Sequence, residues 1–164
     1  MIDTIGGTVV IVSDQQKAIE FYTQKLGFEV KSDMSFGGGG GGGGSSSSSG
    51  GGGGDGGGGG DGIRWVEVAP KASQSTISLM VSNPMMMSDG VEIEAAKKST
   101  GTETGIWFYS NNIQSTYEEL KSKGVDITVP EKQEWGGIMS KLKDQDGNSY
   151  SIISSLPQPP TKQD

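Results

Sequence analysis

The chain has 164 residues, no cysteine and no histidine, and its formal net charge at pH 7 is -7. Without these two residue types it can form neither a disulfide nor a thiolate metal site, and it lacks the commonest metal ligand and the commonest general base near neutral pH. The acidic balance argues against a nucleic-acid partner, because phosphate binding uses clustered Lys and Arg.

The first half of the chain is predicted to form a strand, a helix and three further strands. Apolar and β-branched residues predict a strand over residues 8–12, and Ser13 or Asp14 can cap a helix that runs to about residue 25. Gly27 is expected to end this helix. Its inward face is expected to contain Ala18, Phe21, Tyr22 and Leu26. The further strands are predicted over residues 28–31, 63–68 and 76–81.

Residues 37–62 are almost entirely Gly and Ser, interrupted only by Asp55 and Asp61. We expect a flexible, solvated loop, because no apolar side chain anchors it and Gly loses the most backbone entropy on ordering. Hairpin loops usually have about 2 to 5 residues. The tract is therefore either an engineered replacement or an unusual natural expansion.

The second half repeats the same order of elements. A strand over residues 106–110 leads to a helix over about residues 112–123, which Gly124 follows. The residues at helical spacing are Ile113, Thr116, Tyr117 and Leu120. Strands are then predicted over residues 125–129, 137–143 and 149–154.

Spacing along the chain supports an internal duplication. Asp14 to Ser78 spans 64 positions and Asn112 to Ser151 spans 39, a difference of 25, which the 26 residues of the Gly/Ser tract explain. We therefore expect one module over residues 1–84 and a second over residues 105–156. Residues 85–104 are interpreted as a connector and residues 157–164 as a disordered tail.

Three stretches carry a resemblance to a known family. They are Thr-Val-Val-Ile-Val-Ser-Asp at residues 8–14, the run from Ala-Ile-Glu-Phe-Tyr to Leu-Gly-Phe at residues 18–28, and Lys-Asp-Gln-Asp-Gly-Asn at residues 143–148. The chain resembles the vicinal-oxygen-chelate superfamily, which includes glyoxalase I, bleomycin-resistance proteins, fosfomycin-resistance enzymes and extradiol dioxygenases. The resemblance implies an α+β fold, in which paired βαβββ modules form a cup-shaped, mostly antiparallel sheet with helices outside.

The resemblance also implies where a metal would bind. In that family the ligands commonly come from the first strand of each module, seven positions before the residue that opens the helix, and from the last strand. The matching positions in this chain are Gly7, Ser78, Gly105 and Ser151. None offers the imidazole, carboxylate or thiolate that transition metals prefer. Metal-dependent lyase or dioxygenase activity is therefore disfavoured, and no cofactor is expected.

Strand alternation indicates which side chains line the predicted cup, because residues two apart share a face. The candidate ligand-binding residues are Trp65, Met80, Trp107, Tyr109 and Trp135. Pockets of such composition suit small organic molecules. Trp107 and Tyr109 have an alternative interpretation, in which they fill the concave sheet or a dimer interface.

Glu67 is the candidate catalytic residue. A carboxylate on an aromatic face can act as a general base, and the alternative is that Glu67 is solvated or paired with a neighbour such as Arg64. The run over residues 144–148 superficially suggests a calcium loop, but it lacks the bidentate Glu, so we expect a tight turn.

Three functions are compatible with these residues. The first is metal-independent binding of a small apolar or aromatic molecule in the cup. The second is a glyoxalase-like lyase or isomerase that uses carboxylate or Tyr chemistry, or a metal at noncorresponding residues. The third is a ligand-free structural or engineered scaffold. Analogy of fold does not choose among them.

Assembly and location are also expected from the sequence. An open sheet edge and an apolar concave face predict a homodimer. The N-terminus lacks the features of a signal peptide, and no apolar run approaches the roughly 20 residues that span a bilayer. We therefore expect a cytoplasmic protein without a membrane partner.

Overall fold

The structure is a computed structural model, and it describes residues 2–36, 62–82 and 90–154. The predicted flexible loop over residues 37–62, apart from Gly62, lies outside the described residues, as does the predicted tail over residues 157–164.

Within residues 2–36 and 62–82, the first module has one helix and four strands. Its elements are β1 (Gly7–Ile11), α1 (Gln15–Glu20), a π-helical turn (Phe21–Lys25) that continues α1, β2 (Glu29–Phe36), β3 (Ile63–Ala69) and β4 (Thr76–Met80). The helix begins at Asp14, whose Oδ1 accepts hydrogen bonds from the backbone N–H groups of Gln16 and Lys17 at 2.9 and 3.0 Å. Gly27 follows it in a left-handed conformation, with φ at 72°, which glycine adopts without steric cost. The predicted cap and stop are confirmed.

A helix, α2 (Gly90–Ser99), lies within the segment interpreted as a connector. Its sequence from Glu92 to Lys98 contains Glu, Ala and Lys, which are strong helix formers. In the described part of the chain, no helix is long and apolar enough to span a membrane.

The second module repeats the plan with one extra short strand. Its elements are β5 (Glu103–Ser110), α3 (Ile113–Ser122), β6 (Asp126–Ile127), β7 (Glu131–Lys132), β8 (Ile138–Lys143) and β9 (Ser149–Ser154). Asn112 caps α3, since its side chain accepts a hydrogen bond from the N–H of Ser115 at 3.1 Å. The strand predicted over residues 125–129 has only two residues, and β7 pairs separately with β8.

Each module forms its own sheet. The strand order is β1-β4-β3-β2 in the first sheet and β5-β9-β8-β6 in the second. In each sheet, the first strand of the module is an edge strand that runs parallel to its neighbour: β1 pairs with β4, and β5 pairs with β9. The other neighbouring strands are antiparallel. The two sheets confirm the predicted α+β fold of paired βαβββ modules with mostly antiparallel strands.

The hairpin of β2 and β3 is in register at the end where the chain connects the two strands. Phe36 and Ile63, which flank the Gly/Ser tract, are direct cross-strand partners. The register shifts only at the other end of the hairpin, between Val30 and Ser32.

One apolar core is shared by both modules. Ala18 and Tyr22 of the first helix are fully buried, as predicted. The ring of Tyr22 meets the ring of Tyr150 edge-on at 6.3 Å between centroids. Phe108 stacks on Tyr150 at 5.6 Å and meets Phe28 at 5.5 Å. Aromatic contacts of this kind stabilise a core beyond the area that they bury.

A buried polar cluster lies inside this core. The Oδ2 atom of Asp144 accepts hydrogen bonds from Asn148 Nδ2 at 2.8 Å and from the Tyr22 hydroxyl at 3.2 Å. The hydroxyls of Tyr22 and Tyr150 are also hydrogen-bonded to each other. Burial raises the pKa of both tyrosines, because the charged phenolate would be desolvated. The N–H of Gly147 bonds to the carbonyl of Asp144 at 3.1 Å, which confirms the expected tight turn.

Candidate functional site

The backbone leaves no room for a side chain at Gly7, the first of the four ligand-equivalent positions. Gly7 pairs with Thr76 across β1 and β4. A Cβ atom at Gly7 would lie 2.6 Å from the carbonyl oxygen of Thr76 and 2.7 Å from its Oγ1. A ligating residue would therefore require the backbone to move.

Gly105 is constrained by conformation rather than by crowding. Its φ angle is 70°, and no atom lies within 4 Å of a Cβ built there. The register of β5 against β9 shifts between Glu103 and Trp107, so Gly105 lies in a bulge. Residues with side chains rarely adopt this left-handed backbone. Any ligating residue at Gly105 would be strained.

The other two ligand-equivalent positions are serines, and each lies on the strand that comes last in its module along the chain. Ser78 is buried in β4, and Ser151 is half-buried in β9 opposite Trp107. Within residues 2–36, 62–82 and 90–154, no group of three or more His, Cys, Asp or Glu residues is placed to hold a metal ion.

Glu67 is half-buried on β3 and faces the hydroxyls of β4. Its Oε1 atom accepts hydrogen bonds from Thr76 Oγ1 at 3.1 Å and Ser78 Oγ at 3.4 Å. The carboxylate of Glu67 and the hydroxyls of Thr76 and Ser78 therefore form one polar cluster, which includes the ligand-equivalent Ser78.

The suggested pairing of Glu67 with Arg64 is wrong. Arg64 instead binds Asp33 with two hydrogen bonds, from Nε to Oδ1 at 2.8 Å and from Nη2 to Oδ2 at 2.7 Å. Arg64 and Glu67 are three positions apart on one strand, so they point to opposite faces. The hydrogen bonds from Arg64 lower the pKa of the Asp33 carboxyl.

Trp107 and Tyr109 are exposed on the same face of β5. Of their surfaces, 57% and 70% are accessible to solvent. Phe108 lies between them and points into the core, where it contacts Tyr150. Within one chain the two rings are not packed as core residues. Both are open to a ligand or to a second chain.

The other three candidates lie on different elements. Trp65 is half-buried on β3, two positions before Glu67, and Met80 is buried at the end of β4. Trp135 is exposed in the turn between β7 and β8, and its ring covers Gly137 so closely that a Cβ there would lie 1.7 Å from Cζ3. Trp65 and Met80 thus belong to the first sheet, while Trp107 and Tyr109 belong to the second.

Cavities border the exposed aromatic residues in the described part of the chain. A cavity of about 240 Å³ lies between the edge strands β1 and β5, and its lining includes Gly7, Thr76 and Trp107. A cavity of about 370 Å³ has Tyr109 in its lining. Among the described residues, neither lining includes Trp65, Met80 or Trp135.

Sequence reasoning missed residues that both cavities use. Pro70 and Phe108 occur in both linings, and Leu26 and Phe28 line the larger cavity. Leu26 and Phe28 flank Gly27, whose left-handed turn directs the chain from the helix into β2. The Leu-Gly-Phe run was a usable signal, whereas Pro70 follows β3 without a pattern that marks it.

Comparisons with known proteins extend over nearly the whole chain. A sequence model of the Glyoxalase/Bleomycin resistance protein/Dioxygenase superfamily matches residues 4–152. The uncharacterized protein YetH of Bacillus subtilis (strain 168) is 30% identical over 153 residues, which cover 93% of this chain and 98% of YetH.

Solved structures share the fold. A crystal structure of a Glyoxalase/bleomycin resistance protein/dioxygenase superfamily member from Sphaerobacter thermophilus DSM 20745 is similar with a TM-score of 0.65 and 25% identity, over 94% of this chain and 98% of that one. TnmS3, an antibiotic binding protein from Streptomyces sp. CB03234, is similar with a TM-score of 0.62 and 23% identity, over 94% of this chain and 98% of TnmS3.

Proposed function

The chain belongs to the Glyoxalase/Bleomycin resistance protein/Dioxygenase superfamily, and on that premise we propose that it binds a small apolar or aromatic molecule without a metal. The observation that carries the proposal is the exposure of Trp107 and Tyr109 on the face that they share with Gly105. Large exposed aromatic residues beside a cavity are typical of sites for organic ligands.

Metal independence is supported by the backbone at the ligand-equivalent positions. Gly7 is crowded by Thr76, and Gly105 has a left-handed conformation. A metal-ligating side chain would clash with Thr76 at Gly7 and would strain the backbone at Gly105. The space next to Trp107 is instead left to the ligand.

The class of ligand is supported by the fold that this chain shares with TnmS3. TnmS3 is an antibiotic binding protein, so the same architecture accommodates a small organic molecule. The cavity of about 240 Å³ beside Trp107 holds at most a compact ligand within one chain, since sites for drug-sized molecules usually measure about 300 to 1,000 Å³.

We also propose that a second copy of the chain completes the site. Val9, Met34 and Phe36 are exposed on the strands of the first sheet, and Trp107 and Tyr109 are exposed on the second. Exposed apolar side chains on both sheets favour association of the chain with a second copy. A homodimer would enclose both the aromatic pair and the ligand.

The proposal is tested by a binding screen of the purified chain. We expect a panel of small aromatic compounds to contain ligands that quench tryptophan fluorescence, with an affinity that EDTA leaves unchanged. Val129→Ala, which alters an exposed apolar residue distant in sequence from β5, should retain binding, whereas Trp107→Ala should lose it. One equivalent of zinc, nickel, iron or manganese in the purified protein, with binding abolished by EDTA, would overturn the proposal.

A further inference from the structure

We infer that the ligand carries a positive charge, such as a protonated amine, and that Glu67 selects it. This inference rests on the proposed binding function and adds the chemical class of the ligand. It follows from the hydrogen bonds of Glu67, from the pairing of the nearby cationic residues and from the aromatic surroundings.

Among the residues that the structure describes, the side-chain hydrogen bonds of Glu67 come from neutral groups. Its Oε1 accepts hydrogen bonds from the hydroxyls of Thr76 and Ser78. Among the described residues, no Lys or Arg forms an ion pair with this carboxylate. A half-buried carboxylate without a counter-ion attracts a cation more strongly than an exposed one, because it is less screened by water.

The cations on β3 and on the adjacent strand β2 are already paired. Arg64 on β3 forms a bidentate ion pair with Asp33. Lys31 on β2 pairs with Glu29 at 2.9 Å. Neither is available to neutralise Glu67 without breaking an existing pair. The net charge of -7 further favours cationic over anionic ligands.

The surroundings of Glu67 suit an aromatic amine. Trp65 lies two positions before Glu67 and therefore on the same face of β3, and an indole face attracts cations. Thr76, which donates to Glu67, also lines the cavity that contains Trp107. The carboxylate therefore accepts a hydrogen bond from a residue that lines that cavity. Glu67 does not itself line this cavity, so a ligand with its ring against Trp107 would extend past Thr76 for its ammonium group to reach Glu67.

The test compares tryptamine with tryptophol, which share an indole ring and differ in an ammonium group against a hydroxyl. Calorimetry on the full chain at pH 7 should show tryptamine binding at least tenfold more tightly. Glu67→Gln should remove this preference, because the amide oxygen still accepts from Thr76 and Ser78 but carries no charge. Asp33→Asn is the matched control, since it removes a carboxylate that already has a partner, and it should keep the preference.

A second measurement needs no variant. Raising the salt concentration should weaken tryptamine binding and leave tryptophol binding unchanged, because only the first depends on charge. Equal binding of both probes to the wild-type chain would overturn the inference and leave aromatic binding in place. A preference that survives in folded Glu67→Gln would overturn the role of Glu67. Binding of neither probe would count against the proposed function itself.

Discussion

The side-chain amide of Asn148 donates a hydrogen bond to the backbone carbonyl of Ile11 at 3.1 Å, across 137 positions of sequence. Ile11 ends the edge strand β1, and Asn148 directly precedes β9, so the bond joins the two modules. In the same turn, Asp146 Oδ2 accepts from the N–H of Ser13 at 2.9 Å. The duplicated modules are therefore held together by directional polar contacts as well as by the shared core.

Asn148→Ala should lower the free energy of unfolding by about 2–4 kcal/mol. The buried side chain also accepts from the N–H of Gly101 at 2.7 Å, and its removal leaves buried partners without hydrogen bonds, each of which costs about 1–3 kcal/mol. Gln145→Ala, in the exposed part of the same turn, should stay within about 0.5 kcal/mol. Equal urea midpoints for the two variants would contradict this role.

Trp107→Ala should cost clearly less stability than truncation of its neighbour. Phe108 packs on Tyr150 and Phe28, and loss of such a ring costs about 3 kcal/mol. Trp107 is mostly exposed, so its variant should lose ligand affinity instead. Thermal unfolding and ligand titration of both variants provide the comparison. If Trp107→Ala is as unstable as Phe108→Ala and binds normally, Trp107 is a core residue.

Gly7→Ala should destabilise the chain by about 1–3 kcal/mol, because the added methyl group overpacks against Thr76. Gly6→Ala is the matched control one position away. No atom lies within 4 Å of a Cβ at Gly6, so its effect should stay within about 0.5 kcal/mol. Chemical denaturation of both variants checks the difference, and an unchanged Gly7→Ala would show that the first sheet yields easily at this position.

Arg64→Met should raise the pKa of Asp33 towards the ordinary value for a carboxyl, which NMR titration can follow. Because this pKa is lowered in the folded state, the stabilisation is complete above about pH 4 and is lost as the pH falls through the lowered value. The side chains of Arg64 and Asp33 are 35% and 39% exposed, so the effect is below about 1 kcal/mol. Lys97→Met, which removes an exposed pair with Glu94, should leave the Asp33 titration unchanged; a shift there, or none in Arg64→Met, would refute the assignment.

The chain should sediment as a homodimer at micromolar concentration, because apolar side chains are exposed on the strands of both sheets. Trp107→Glu would place a charge on this surface and should shift the equilibrium towards monomer. Lys121→Glu, on the exposed side of α3, should not. A wild-type chain that sediments only as monomer would exclude the completed site proposed above.

Much of the fold was predictable because the two modules use strong local signals. Asp14 and Asn112 cap their helices, and Gly27 and Gly124 follow them with positive φ angles. Such signals act over a few residues and are visible in sequence. The helix α2 was missed, although its run of Glu, Ala and Lys has high helix propensity.

The candidate site was less predictable because it depends on distant contacts. Strand alternation correctly placed Trp107 and Tyr109 on one face, and it should also have excluded Arg64 as the partner of Glu67. It does not say how two sheets are arranged, so the cavity between β1 and β5 could not be foreseen. The hydrogen bond between Ser13 and Asp146 spans 133 positions, and no periodicity indicates such a contact.

The pairing of Phe36 with Ile63 has a consequence for how this gene can vary. Cross-strand pairing holds the two ends of the hairpin side by side, so neither sheet depends on the number of residues between them. The free-energy cost of closing such a loop, which is entropic, rises by only about 0.6 kcal/mol for each doubling of its length. Gains and losses of glycine codons between these two positions are therefore expected to escape selection for folding, and related genes should differ in length at this point more than anywhere else in the two modules.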